Sequence, residues 1–154
     1  MRCASPTTMA TSISAKLRRG VTTRSAEATR RLAGELATGL PPDTTLALHG
    51  DMGVGKTTFV QGLARGLGVR EPVTSPTFAI YSVHKGTART LVHLDAYRLD
   101  NERQVEALLL DEFLTSPWLL AVEWPDKIPG WLSANAWHLT LSIVEGNRHR
   151  VQLR

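Results

Sequence analysis

Gly50-Asp51-Met52-Gly53-Val54-Gly55-Lys56-Thr57 is a complete G-x-x-x-x-G-K-T run, the spacing of a phosphate loop. Its glycines let the backbone wrap closely enough for successive N–H groups to face phosphate oxygens, an approach that a β-carbon at Gly53 or Gly55 would obstruct. A helix opening near Lys56 adds the positive end of its dipole to the cradle. In that geometry Lys56 reaches the β- and γ-phosphates, and Thr57 offers its hydroxyl to Mg²⁺, a hard cation that prefers oxygen. The chemistry still needs a second acid for the metal and a group that positions the nucleophile. Glu123 ends the most apolar stretch of the chain, Trp118 to Val122, where a metal-holding acid belongs; a plain surface acid is the alternative. Asp95 closes the run Leu91 to Leu94 and is placed to orient a water or complete the metal's outer shell, with an ion pair to Arg98 as the structural alternative. Thr77, in Ser75-Pro76-Thr77-Phe78, presents a hydroxyl toward the γ-phosphate or serves the turn itself.

These residues must be carried by particular elements. Ala28, Leu32, Ala33, Leu36 and Leu40 recur near a helical period after Ser25, and Pro41-Pro42 stops that helix. Thr45 to His49 is a short apolar run of buried-strand length that leads directly into the glycine loop. Phe59, Val60, Leu63, Ala64 and Leu67 form the apolar stripe of a second helix, ending near Gly66 to Gly68. Thr77 to Val83 and Thr90 to Leu94 read as a hairpin, and Asp100 or Asn101 starts a helix expected to run to Phe113. Trp118 to Val122 reads as a central strand, and Trp137 to Glu145 pairs with Arg148 to Leu153 as a closing antiparallel hairpin. The order predicts an α/β fold: a three-layer, phosphate-loop-like mixed sheet flanked by helices, with ligands at the carboxyl ends of its strands.

Composition narrows the class. A chain of 154 residues with 42% hydrophobic and 21% charged residues suits one soluble domain, expected over residues 21–154. No stretch approaches the length of a membrane-spanning helix. A single cysteine builds neither an internal disulfide nor a thiolate metal cluster, which fits a reducing, cytoplasmic compartment. The net charge of +4 is concentrated: Arg2, Lys16, Arg18, Arg19 and Arg24 precede the first acid, so the rest of the chain is nearly neutral. Residues 1–20 are therefore expected to be a disordered basic extension, with an organellar transit segment as the alternative. That head offers only weak, salt-sensitive attraction to RNA, and sequence-specific reading of RNA is not expected.

The segments GDMGVGKTTF, SPTF at Ser75 to Phe78, HLDAYRL at His93 to Leu99 and VEW at Val122 to Trp124 resemble, in order and spacing, those of the TsaE family, also called YjeE. The resemblance covers about Thr23 to Leu153, including the family's amino-terminal Thr at Thr23. It implies an ATPase of tRNA threonylcarbamoyladenosine biosynthesis that works with the TsaD catalytic subunit and its companion TsaB on adenosine 37 of ANN-decoding tRNAs. It further implies that Thr23, Thr77 and Asp51, Met52, Gly53, Val54, Gly55, Lys56, Thr57 and Thr58 bind ATP. By the same resemblance Thr57 and Glu123 hold Mg²⁺, Lys56, Asp95 and Glu123 serve hydrolysis, and Tyr97, Arg98 and Trp124 lie nearby. Contact with tRNA is then expected mainly through the partners. One departure stands out: Leu109 occupies the position where the family usually places Gly before Asp111-Glu112-Phe113.

Two other readings remain open on the residues alone. A small phosphate-loop metabolite kinase needs an acceptor pocket and an arginine-bearing lid, and neither is evident. A nucleotide-controlled binding module would need no turnover at all.

Overall fold

The computed structural model describes residues 6–76 and 78–154. Its framework is a seven-stranded sheet in the order β1-β7-β6-β2-β5-β4-β3, built from β1 (Val21–Thr23), β2 (Thr44–His49), β3 (Tyr81–Lys85), β4 (Thr90–Asp95), β5 (Trp118–Glu123), β6 (Trp137–Val144) and β7 (Arg148–Leu153). The inner strands β6, β2, β5 and β4 run parallel; β3 and β7 flank them antiparallel, and β1 pairs antiparallel with β7 at the edge. This is the mixed α/β sheet expected, with the closing hairpin formed by β6 and β7.

The apolar runs explain the layers. All six residues of β2 are buried, as a strand covered on both faces requires. One face, carrying Leu46, Leu48, Leu119, Ala121, Leu139, Leu141, Val151 and Leu153, packs against α2 (Ala26–Gly39), α3 (Lys56–Gly66) and Ile13 and Leu17 of α1 (Pro6–Arg19). Ser25 caps α2 by accepting from the Ala28 N–H at 3.0 Å, and Phe59, Leu36 and Leu63 are fully buried where α2 and α3 meet the sheet. Each such side chain contributes roughly 1.5–3 kcal/mol. The two helices touch backbone to backbone: a Cβ on Gly62 would fall against the Arg30 carbonyl. On the other face Val92, Leu94, Leu120 and Val122 pack against Ala96, Leu99, Val105, Leu110 and Ile128, contributed by α4 (Glu102–Glu106) and the irregular chain around it.

Three expectations are corrected. The basic head is not a disordered extension over its whole length, because residues 6–19 form α1 and bury Ile13 and Leu17, one helical turn apart, against the first core. Two apolar residues suffice when neighbouring elements supply the rest of the contact, so tertiary packing outweighs the head's composition. The strand expected from Thr77 starts only at Tyr81, after Ile80 takes a left-handed φ of 69°. The helix expected to reach Phe113 stops after Glu106, since Leu109 adopts φ 53°, ψ 44° before a single 3₁₀ turn at Leu110–Glu112. A leucine in that conformation costs roughly 1–2 kcal/mol, which gives a physical reason for a glycine at this position. Among the described residues, no helix is long and apolar enough to cross a membrane.

Candidate functional site

The site forms where β2, β4 and β5 end. Strand β2 feeds the loop at Gly50, and the loop runs into α3 at Lys56. Gly53 and Gly55 have φ of 82° and 99°, values that an L side chain rarely adopts. A Cβ on Gly53 would meet nothing within 4 Å, so the constraint there is the turn itself, and the space above it is open to a ligand. At Gly55 the nearest atom to a Cβ is His149 Nδ1 at an ordinary 3.5 Å.

Parallel register builds the opposite wall. Asp95 and Glu123 are paired positions at the carboxyl ends of β4 and β5, so their side chains leave the same face side by side. The result is a cleft of about 570 Å³ with Met52, Gly53, Gly55, Lys56, Thr57 and Thr58 on one side, Asp95 and Glu123 on the other, and Ser75, Tyr97, Arg98 and Trp124 at its rim. Lys56 is 5% exposed; its ammonium donates to the Gly50 carbonyl at 2.5 Å and lies 3.6 Å from the centre of the Trp124 ring. Burial pushes the Lys56 ammonium below the usual lysine range, and the charges of Glu123, Asp95 and Asp51 oppose that shift.

Asp95 accepts from the Tyr97 N–H at 3.0 Å and, among the described residues, forms no ion pair; Arg98 instead lies 5.0 Å from the Phe78 ring centre. Glu123 is held from behind. His93, fully buried two residues before Asp95 on the same strand face, donates its Nε2–H to Glu123 Oε2 at 2.5 Å, a carboxylate being able only to accept. The nucleotide-site residues read from sequence thus mostly converge. Val54, however, is buried under the loop, and Asp51 faces a separate concavity with His49 and Asp126. Thr23 does not line the cleft: it is buried in β1 with its hydroxyl 2.6 Å from that of Thr29. Thr77 lies outside the described residues.

Two supporting residues escaped sequence reasoning. His93 had a local signal, its i−2 spacing from Asp95 on a strand. His149 had none: it reaches across from β7, and its Nδ1–H donates to the Val54 carbonyl at 2.7 Å, bracing the loop from 95 positions away. Among the described residues no three His, Cys, Asp or Glu side chains form a metal cluster by themselves. Mg²⁺ does not need one, because it is ordinarily held by one or two carboxylates, waters and the substrate's own phosphates. Thr57 with Glu123, and Asp95 beside them, is a donor set of that kind.

The family profile described as "Threonylcarbamoyl adenosine biosynthesis protein TsaE" matches residues 23–151. The chain belongs to the TsaE family. Among curated relatives, the tRNA threonylcarbamoyladenosine biosynthesis protein TsaE of Synechocystis sp. is 42% identical over 106 residues, 66% of this chain and 67% of the relative. That of Bacillus subtilis is 40% identical over 66% of this chain and 63% of its own length, so these alignments span about two thirds of either protein. The Treponema pallidum TsaE is 33% identical over 81% of this chain and 93% of its own. The crystal structure of YdiB from Bacillus subtilis superposes with a TM-score of 0.73 at 28% identity, covering 87% of this chain and 82% of that one. Membership in TsaE places the chain in tRNA threonylcarbamoyladenosine biosynthesis.

Proposed function

We propose that this TsaE-family protein is a Mg²⁺-dependent ATPase that supports repeated cycles of adenosine-37 threonylcarbamoylation by a TsaD–TsaB complex in the cytoplasm. The observation that carries the reading is the cleft in which Lys56 and Thr57 face Asp95 and Glu123. The backbone of Gly53 to Thr58 would cradle the ATP phosphates, and Lys56 would exchange its carbonyl partner for phosphate oxygens, with which it makes stronger, charge-assisted hydrogen bonds. Mg²⁺, held by Thr57 and Glu123, would neutralise charge on the β- and γ-phosphates. Asp95 is free to orient water, since one of its oxygens takes only the Tyr97 N–H. His93 fixes one oxygen of Glu123, a residue that lines the cleft.

Arg98 is the one arginine among the described residues lining the cleft, and it is held against Phe78 at the rim. Where phosphate-loop enzymes use an arginine finger it contributes about 10³ to 10⁵ in rate, so the isolated protein should turn over slowly. ATP hydrolysis at fixed Mg²⁺ should rise when TsaD and TsaB are added, together with threonylcarbamoyladenosine formed over many cycles. Turnover equally fast without the partners, or repeated modification without this protein, would overturn the reading and favour a metabolite kinase.

A further inference from the structure

The sheet is covered unequally. The second apolar cluster, which covers the face opposite α1, α2 and α3, contains no residue of β1, β6 or β7. Strand alternation decides what that bare end displays. Val151 and Leu153 point into the first core, so Arg148, Arg150 and Gln152 of β7 point outward, followed by exposed Arg154. The neighbouring outward positions are Thr22 on β1 and His138, Thr140 and Ser142 on β6. None of these three strands contains an aspartate or a glutamate.

The arginines here differ from those on the helical side. On the helices Arg30 and Arg65 both pair with Glu27, at 3.5 and 2.8 Å. On the bare face Arg148 donates to the Glu145 carbonyl, Arg150 to the Arg19 carbonyl and Arg154 to the Thr140 hydroxyl, all neutral acceptors. Among the described residues none of the three is in an ion pair. Each guanidinium has five donors, so most of its hydrogen-bonding capacity and all of its charge remain available. Folding of the head adds to the same edge. The end of α1 brings exposed Lys16, Arg18 and Arg19 beside β7, and Arg18, Arg154 and His138 share a concavity of about 450 Å³. A chain that is nearly neutral on average after its head therefore carries an excess of cations here, concentrated at the β7 edge; toward β2, Arg154 shares a concavity with Asp51 and Asp126.

We propose that the bare face of β1, β7 and β6, with Arg148, Arg150 and Arg154, is a docking surface for the phosphodiester backbone of the tRNA on which the family's pathway acts. The choice of RNA rests on the family reading, not on ATP hydrolysis. Charge complementarity favours a polyanion, because unpaired like charges gathered on one face repel one another and bring no stability of their own. Outward residues two apart on β7 are about 7 Å apart, so Arg148 and Arg150 can serve different phosphates. Among the described residues the exposed aromatic side chains are Tyr97, which lines the cleft, and Phe78, which lies against Arg98 beside it; neither is on this face, which suits contact with the backbone rather than stacking on bases.

The test is tRNA binding by fluorescence anisotropy with the full chain across a salt series, alongside ATP turnover. With three to five phosphate contacts, log K should fall against log salt with a slope of about −2 to −4. The double variant Arg148→Ser/Arg154→Ser keeps Arg150, which packs over Gly20, and should lose about two units of that slope and about tenfold or more in affinity at about 50 mM salt. Arg148→Lys/Arg154→Lys should retain most of the slope. ATP turnover should stay at the wild-type level in both, since neither residue lines the cleft. Unchanged tRNA binding in the serine variant overturns the inference, as does a wild-type protein that hydrolyses ATP yet binds no tRNA, an outcome that leaves the ATPase reading standing. Binding to phosphatidylserine vesicles in place of tRNA would also overturn it.

Discussion

The two faces of the sheet are built by different means. The face under α1, α2 and α3 is covered by regular helices whose apolar stripes and caps are local properties of the chain. The other is covered only in part, by the short helix α4 and by turns in which Leu109 and Trp124 hold positive φ although neither is glycine. Both contribute to the cleft: α3 brings Lys56 and Thr57, and the irregular side brings Tyr97 and Trp124. The contrast teaches that one wall is shaped by helix geometry and the other by tertiary contacts that hold strained residues in place.

The largest expected effect tests the helical wall. Lys56→Ala should lower partner-stimulated ATP turnover by about 10²- to 10³-fold while leaving the melting temperature near wild type; turnover within a few-fold of wild type would show that the loop is not the phosphate site. Next, Leu17→Ala should cost about 2–5 kcal/mol in denaturant unfolding, because Leu17 is fully buried in the first core; a change under about 0.5 kcal/mol would mean that α1 is not docked there. On the irregular side Leu109→Gly should instead raise stability by about 1 kcal/mol, by relieving the left-handed leucine, and a loss would show that its side chain matters more than its backbone.

The smallest effect is a pH dependence at the junction of the two faces. Burial and the nearby charge of Arg154 hold the His49 imidazole below its ordinary value of 6.5, against the opposing pull of Asp126, and His138 lies 2.9 Å away. With a lowered folded pKa, the unfolded chain takes up a proton first as the medium acidifies. Stability should therefore decline as pH falls through about 6.5, and His49→Gln should flatten that part of the profile in thermal melts. Parallel profiles for the two proteins would remove His49 as the source.

What was legible in the sequence follows the same division. The loop is contiguous, so eight residues carry its whole geometry, and β2, β5, α2, α3 and the closing hairpin have periodicity of their own. The pairing of Asp95 with Glu123 was visible only as two strand-end acids; their adjacency depends on the register of β4 against β5. Thr23, assigned to nucleotide binding through resemblance alone, sits in a three-residue strand whose existence depends on β7, and its hydroxyl meets Thr29. The head looked like a solvated tail because Lys16, Arg18 and Arg19 outnumber its buried residues, whereas Ile13 and Leu17 acquire meaning only once α2 and β7 are beside them.

The contact of Gly62 with the Arg30 backbone bears on how the cleft can move. With backbone against backbone at Gly62 and only the small Ala33 and Ala37 methyls beside the glycines, α2 and α3 have little soft layer over which to slide, so the phosphate loop and Lys56 form a fixed anvil. Any closing stroke on a nucleotide then falls to the opposite jaw, the turns bearing Tyr97 and Trp124. In hydrogen exchange, nucleotide should slow the amides of residues 96–99 and 124–128 while those in the body of α3 keep their rates; the reverse pattern would place the moving part on the helix.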